Sequence, residues 1–149
     1  MRRTTVLVCL LAGAPALAAA GEPRYGFTLA TAQGTTVGAV VRVTERLTSR
    51  SSLRVPEWED AVAELDLTGD LLRDRAFVPY LGVGVELHGN PEKQTERTES
   101  RAVVGLRHDP TAHVRLFGEA VWHRRLSGAA RSEDAYVNVR LAAGVSVLF

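Results

Sequence analysis

The sequence has one cysteine, Cys9, so it can form neither an intramolecular disulfide nor a cysteine-built zinc scaffold. It also lacks an excess of charge of either sign. Its 18 Lys and Arg against 17 Asp and Glu leave a formal charge of +1, too little for a nucleic-acid binder. Basicity is almost wholly arginine, with Lys93 the only lysine. Aromatics are scarce at 6%. Beyond the N-terminus no apolar run is long enough for a transmembrane helix, which needs about 20 residues. Few windows show the spacing of an amphipathic helix. Disorder is excluded from the other side, because 46% of the residues are apolar and the charges nearly cancel. At 149 residues the chain has the length of one domain.

The N-terminus reads as an export signal over residues 1–20, followed by a working chain of residues 21–149. Arg2 and Arg3 form a positive start, Val6 to Ala12 an apolar segment, and Ala18-Ala19-Ala20 the small residues a signal peptidase reads. Cys9 lies inside the apolar segment rather than at the cleavage point, so no lipid anchor is expected. Removing the segment takes the only cysteine with it.

The dominant period of the remainder is two. Val137, Val139, Leu141, Ala143, Val145, Val147 and Phe149 share one face, against Tyr136, Asn138, Arg140, Gly144 and Ser146. Val114, Leu116, Gly118, Ala120 and Trp122 alternate with Arg115, Phe117, Glu119, Val121 and His123. The pattern recurs in Leu81 to His88, Arg101 to Arg107, Ala61 to Thr68, Val37 to Thr44 and Tyr25 to Leu29. Ser49 to Val55 is the weakest instance, with Arg50 and Arg54 on one side and Leu53 and Val55 on the other. Eight strands are therefore predicted, near 24–32, 36–44, 48–55, 60–69, 77–88, 98–108, 113–125 and 134–149. Merging the second and third would leave seven, but Glu45-Arg46-Leu47 is polar enough for a short turn.

Connectors alternate in kind. Glu45 to Leu47 and Asp109-Pro110-Thr111 read as tight turns, and Gly89 to Glu96 and Leu126 to Glu133 as longer loops. Short turns at one end and long loops at the other mark a transmembrane barrel with the turns on the periplasmic side. The fold class expected is all-β, an eight-stranded antiparallel up-and-down transmembrane β-barrel.

Period two alone does not say which face is the core. With Ala, Val and Leu facing lipid, Arg42, Arg54, Glu64, Asp66, Glu86, Arg107, Arg115, Glu119 and Arg140 fill a narrow lumen and pair with one another. Gly82, Gly84, Gly105 and Gly144 then make room among them. Tyr25, Phe27, Phe77, Trp122 and Phe149 fall near strand ends on the apolar face, as interfacial aromatics do. With the faces inverted, the same pattern describes a soluble periplasmic barrel holding an apolar ligand in the manner of lipocalins.

The C-terminal strand carries Gly144, Val147 and Phe149 in a Gly-x-x-apolar-x-aromatic spacing, with Ala142 where such patterns carry a polar residue. It resembles the strand by which outer-membrane barrels are recognised by their assembly machinery. Pro79 to Val85, Val104 to Pro110, Leu116 to Trp122 and the Phe149 end are together similar to small OmpA-like outer-membrane barrels. The resemblance covers most of residues 58–149. It implies a barrel in the outer membrane of a Gram-negative cell, with the Asp109-Pro110 turn periplasmic, and it implies no one biochemical activity.

Candidate chemistry is sparse. His88 and His123 sit on the lumen face near the outer strand ends, with Glu86 and Glu119 close in sequence, and are read as members of polar networks rather than as a rim metal site. His108 and His113 flank the Asp-Pro turn and are read as interfacial. Ser127 and His123 are the one serine and histidine pair that a lipid-modifying enzyme could use, without a third orienting group at a suitable spacing. Gly82-Val83-Gly84 lies mid-strand and opens no helix, so it is no nucleotide loop. The expectation is a non-enzymatic monomer with no cofactor, metal or nucleic acid. Its partners are outer-membrane lipid and, through the last strand, the assembly machinery.

Overall fold

The computed structural model describes residues 24–31, 34–55, 61–72, 75–90, 95–127 and 138–149. The proposed export segment lies outside the described residues, as do 91–94 and 128–133 of the two expected long loops; Gly89-Asn90, Thr95-Glu96 and Leu126-Ser127 continue the flanking strands instead. Eight strands follow in order: β1 (Tyr25–Thr31), β2 (Thr35–Arg42), β3 (Leu47–Val55), β4 (Ala61–Asp70), β5 (Val78–Asn90), β6 (Thr95–Thr111), β7 (Val114–Ser127) and β8 (Asn138–Leu148). Each pairs antiparallel with its chain neighbours, and β1 pairs with β8 from Gly26↔Leu148 to Thr31↔Ala143. The barrel therefore closes with no free edge.

Residues 36–55 form two strands because Val43–Arg46 folds into a turn around Thr44. The amides of Val43 and Thr44 donate to the Leu47 carbonyl at 2.8 and 3.1 Å. Those of Arg46 and Leu47 donate to Thr44 Oγ1 at 3.3 and 3.0 Å, so the turn's own side chain satisfies its orphan amides. The β4–β5 and β6–β7 connections lie at the same end as this turn. So do both ends of the barrel wall, where the Arg24 amide donates to the Phe149 carbonyl at 3.0 Å and the Phe149 amide to the Tyr25 carbonyl at 2.7 Å.

Alternation sorts side chains as the period requires. Phe27, Leu29, Val37, Leu65, Leu67, Leu81, Val83, Leu87, Val104, Leu106, Leu116 and Leu141 point outward and are exposed. Arg54, Glu64, Asp66, Glu86, Glu99, Arg101, Arg107, Arg115, Glu119 and His123 point inward and are buried. Two glycines make the interior possible. The Tyr80 ring lies over its cross-strand partner Gly105 and the Phe117 ring over its partner Gly144, and a Cβ at either glycine would collide with the ring. Glycine is required there for space rather than for backbone conformation.

Two expectations are corrected. Asp109-Pro110-Thr111 is not the turn. β6 continues through it to Thr111, and a register shift between His108 and Thr111 absorbs proline's missing amide hydrogen. The turn itself is Ala112–His113, where Thr111 Oγ1 accepts from the amides of His113 and Val114 at 3.2 and 3.1 Å. Trp122 does not join a terminal aromatic ring. It is half-buried within β7, between Ala102 and Val139. Tyr25, Phe27 and Phe149 cluster at the turn end across the β1–β8 seam, with ring centroids 6.3 and 6.2 Å from that of Phe149. Phe77 stacks near His108 at 5.0 Å at the same end.

A closed ladder of this kind is expected to resist SDS until heated. The purified protein should therefore run at different gel mobilities with and without boiling, and identical mobilities would count against the closed barrel.

Candidate functional site in the barrel lumen

The register of the central strands sets the lumen's chemistry. Ser52 pairs with Glu64, Glu64 with Glu86, and Glu86 with Glu99, which places three carboxylates side by side across β4, β5 and β6. Like charges directly opposite one another repel. These are also buried, Glu86 to 0% and Glu99 to 1% exposure, so the row stands only if cations reach it.

Arginines supply them from neighbouring and facing strands. Arg54 Nη2 lies 2.8 Å from Glu64 Oε1 and 2.6 Å from Glu86 Oε1. Arg101 Nη1 lies 2.8 Å from Glu64 Oε2, to which Ser52 Oγ also donates at 3.1 Å. From the far wall, Arg140 Nη1 reaches Glu86 Oε1 at 3.3 Å. Arg97, near the loop end, pairs with Glu99. The planar guanidinium suits this task, since one fork can serve two carboxylates.

Deeper in the lumen, Arg50 spans it. Its Nη2 donates to Asp66 Oδ2 at 3.0 Å on β4 and to Glu119 Oε1 at 2.7 Å on β7. Its guanidinium carbon stands 5.1 Å from the Phe117 ring centroid, within cation–π range. Tyr80 Oη donates to Glu119 Oε2 at 2.9 Å. Tyr80 packs with Val103 and Val121 into an apolar wall. At the turn end a second cluster joins Arg107 to Asp70 and Asp109, and Arg115 Nε to Asp109 Oδ1 at 3.0 Å.

The residues expected in one lumen network thus fall into two groups. Arg54, Glu64, Asp66, Glu86, Glu119 and Arg140 belong to the loop-side and central cluster. Arg107 and Arg115 belong to the turn-end cluster, and Arg42 lies at the turn end of β2 opposite Thr48. The guanidinium facing Glu119 is Arg50, which was absent from the arginines expected to pair with it. Arg101, Glu99 and Tyr80 were also missed, although Arg50 and Arg101 share parity with Arg54 and Arg107. Of the terminal residues, Gly144 lies beneath Phe117, Val147 points outward opposite Val114, and Phe149 joins the aromatic cluster.

The histidines also separate. His108 Nδ1 lies 2.6 Å from the Ala76 carbonyl and His113 Nδ1 3.0 Å from the Leu148 carbonyl, both at the turn end. His88 and His123 converge on Glu86 and Glu99, not on Glu119. His88 Nε2 lies 2.9 Å from Glu86 Oε1, and His123 Nδ1 lies 3.1 Å from Glu86 Oε2. Ser127 ends β7, and its side chain lies outside the described residues.

No family model matches the chain, and no curated protein matches it. Among solved structures it is similar to the N-terminal β-barrel domain of Pseudomonas aeruginosa OprF, with a TM-score of 0.61 and 13% identity. The match covers 84% of this chain and 95% of that one. At this identity the likeness is one of fold, and it agrees with the resemblance to small OmpA-like barrels read from the sequence.

Replacing Glu119 with Ala leaves Arg50 with Asp66 alone and deprives the Tyr80 hydroxyl of its acceptor. The expected cost is about 3 kcal/mol, read as a lower urea midpoint for protein refolded into lipid vesicles. An unchanged midpoint would remove Glu119 from the network.

Proposed function

We propose that this chain is a non-enzymatic outer-membrane β-barrel protein with a charge-paired, plugged lumen and a structural or surface-interaction role. The polarity of the two barrel faces carries the reading. Leu141, Phe27 and Val83 are 76%, 67% and 65% exposed on the outside, while Glu86 and Asp66 are 0% and 1% exposed within. In water this would leave an apolar belt far larger than monomeric soluble proteins present. In lipid the belt meets its own kind, and the closed ladder leaves no unpaired strand edge in hydrocarbon. A binder of apolar ligands needs the opposite arrangement.

In this reading residues 1–20 direct export, and the turn end, with Arg24 and Phe149, faces the periplasm. Loops of the other end face outward. The aromatic cluster of Tyr25, Phe27 and Phe149 lies at the periplasmic interface, where amphipathic rings are favoured. The last strand, through Gly144, Val147 and Phe149, is what the assembly machinery reads.

The plug rests on Arg50. One internal cavity is bordered by Arg54, Glu64, Arg101, His123 and Arg140, and another by Thr48, Thr68, Arg107 and Arg115. Arg50 borders both, so its pairs with Asp66 and Glu119 lie in the partition between them. Purified protein in planar bilayers is expected to show no stable unit conductance, and a reproducible open level would overturn the plug.

Deleting Phe149 removes one ring of the seam and the last residue of the terminal pattern. Expected is a marked fall in outer-membrane level with little loss of stability in the protein that does assemble. Normal levels of the truncated protein would contradict the assembly role.

A further inference from the structure

We infer that Glu86, His88, Glu99 and His123 form a binding site for a divalent transition-metal ion, zinc foremost, at the loop-side end of the lumen. Sequence alone suggested polar-network histidines, and the proposal departs from that expectation on three observations.

The first is convergence. Donor atoms of Glu86, His88 and Glu99 all lie within 4.8 Å of one another. His123, on β7, lies beside this group rather than within it, with Nδ1 3.1 Å from Glu86 Oε2 and 3.5 Å from Glu99 Oε2. His88 Nε2 lies 2.9 Å from Glu86 Oε1 and 3.8 Å from Glu99 Oε2. In a tetrahedral zinc site, metal–ligand bonds of about 2.0–2.2 Å put neighbouring ligand atoms about 3.3–3.5 Å apart. The four nitrogen–oxygen separations bracket that spacing, and a swing of the His123 ring toward His88 would complete the set around an ion.

The second is the absence of hydrogen-bond partners. His88 Nε2, both ring nitrogens of His123 and Glu86 Oε2 are buried with no aligned hydrogen bond among the described residues, although both imidazoles stand at ion-pair distance from Glu86. Glu86, Glu99 and His123 are themselves 0%, 1% and 5% exposed. Nitrogen and oxygen atoms therefore approach closely without being aligned on one another, as ligands aimed at a common centre do. Buried polar atoms are rarely left in this state.

The third is charge and surroundings. Glu86 and Glu99 are directly paired across β5 and β6, and a bound cation would relieve their repulsion. Two imidazoles with two carboxylates form a nitrogen and oxygen donor set suited to zinc. The carboxylates already have outer contacts: Arg54 and Arg140 on Glu86, and Arg97 on Glu99. Such contacts fix the orientation of ligating groups. The Arg97 side chain is 43% exposed and that of His88 18%, which marks the rim by which an ion would enter and Arg97 withdraw.

The test uses untagged protein purified in detergent, its folded state verified by heat-dependent gel mobility, and titrated calorimetrically with zinc chloride. One zinc per chain is expected, with magnesium failing to compete. Cobalt substituted into the site should show the intense visible absorption of tetrahedral coordination. His88→Ala and His123→Ala should each weaken binding at least ten-fold. Arg97→Gln should tighten it by removing a competing cation from Glu99. The double variant His108→Ala/His113→Ala, altered only at the other end, should bind as the parent does. Should His123→Ala fail to fold, His88→Ala at the rim decides the matter alone. No saturable binding, undiminished affinity in His88→Ala, or loss confined to the His108/His113 variant would each overturn the site.

Discussion

Three carboxylates in one row of register partners, Glu64, Glu86 and Glu99, set the terms for the rest of this interior. They are adjacent and withdrawn from water, so each must be met by a cation from elsewhere in the barrel. This need draws Arg54 across from β3 and Arg140 from the opposite wall, and brings Arg101 against Glu64. It also accounts for the position of the histidines, whose rings lie where the row meets the loop end. The contacts that cross the lumen are thus consequences of a pairing register fixed within β4, β5 and β6.

An eight-stranded barrel has little interior, and the charges share it with large rings. Tyr80 and Phe117 each occupy the space a cross-strand glycine leaves, and Tyr80, Val103 and Val121 form an apolar wall. That wall separates the loop-side and turn-end charge clusters. Arg50 crosses the lumen between them, with Phe117 beneath its guanidinium and Asp66 and Glu119 at its tip. Two carboxylates and an aromatic face thus meet the Arg50 guanidinium, so its charge is compensated inside the barrel.

The fold was legible in the sequence because alternation was strong where it mattered. Strands such as Ala61 to Thr68 and Val114 to His123 have apolar and polar faces of high contrast, and their inward residues follow directly. Legibility failed where contrast vanished. Thr95 to Arg101 is polar at every position, so the start of β6 before residue 98 was missed and Glu99, inside the expected strand near 98–108, was assigned to neither face. Doublets such as Val40-Val41 and Val103-Val104 concealed the inward valines. Parity also tells which side chains share the lumen, but not which meet across it. Arg50 and Glu119 are 69 residues apart, and their contact depends on how the barrel closes. The Asp109-Pro110 pair misled because a bulge near a strand end tolerates proline as well as a turn does.

Buried ion pairs are weak sources of net stability, since desolvation offsets much of their attraction. Their value here lies in what they exclude. A one-residue slip of β4 would send Glu64 and Asp66 to the apolar outer face and Leu65 and Leu67 into the lumen. The same slip in β6 would turn Arg101 and Arg107 outward together. Ala, Val and Leu on the outer face tolerate many registers, because one small apolar residue there stands in for another. The interior charges tolerate few. They hold β4 and β6 in the alignment that returns Glu64, Asp66, Arg101 and Arg107 to the lumen, and Arg50 lies between the two cavities there.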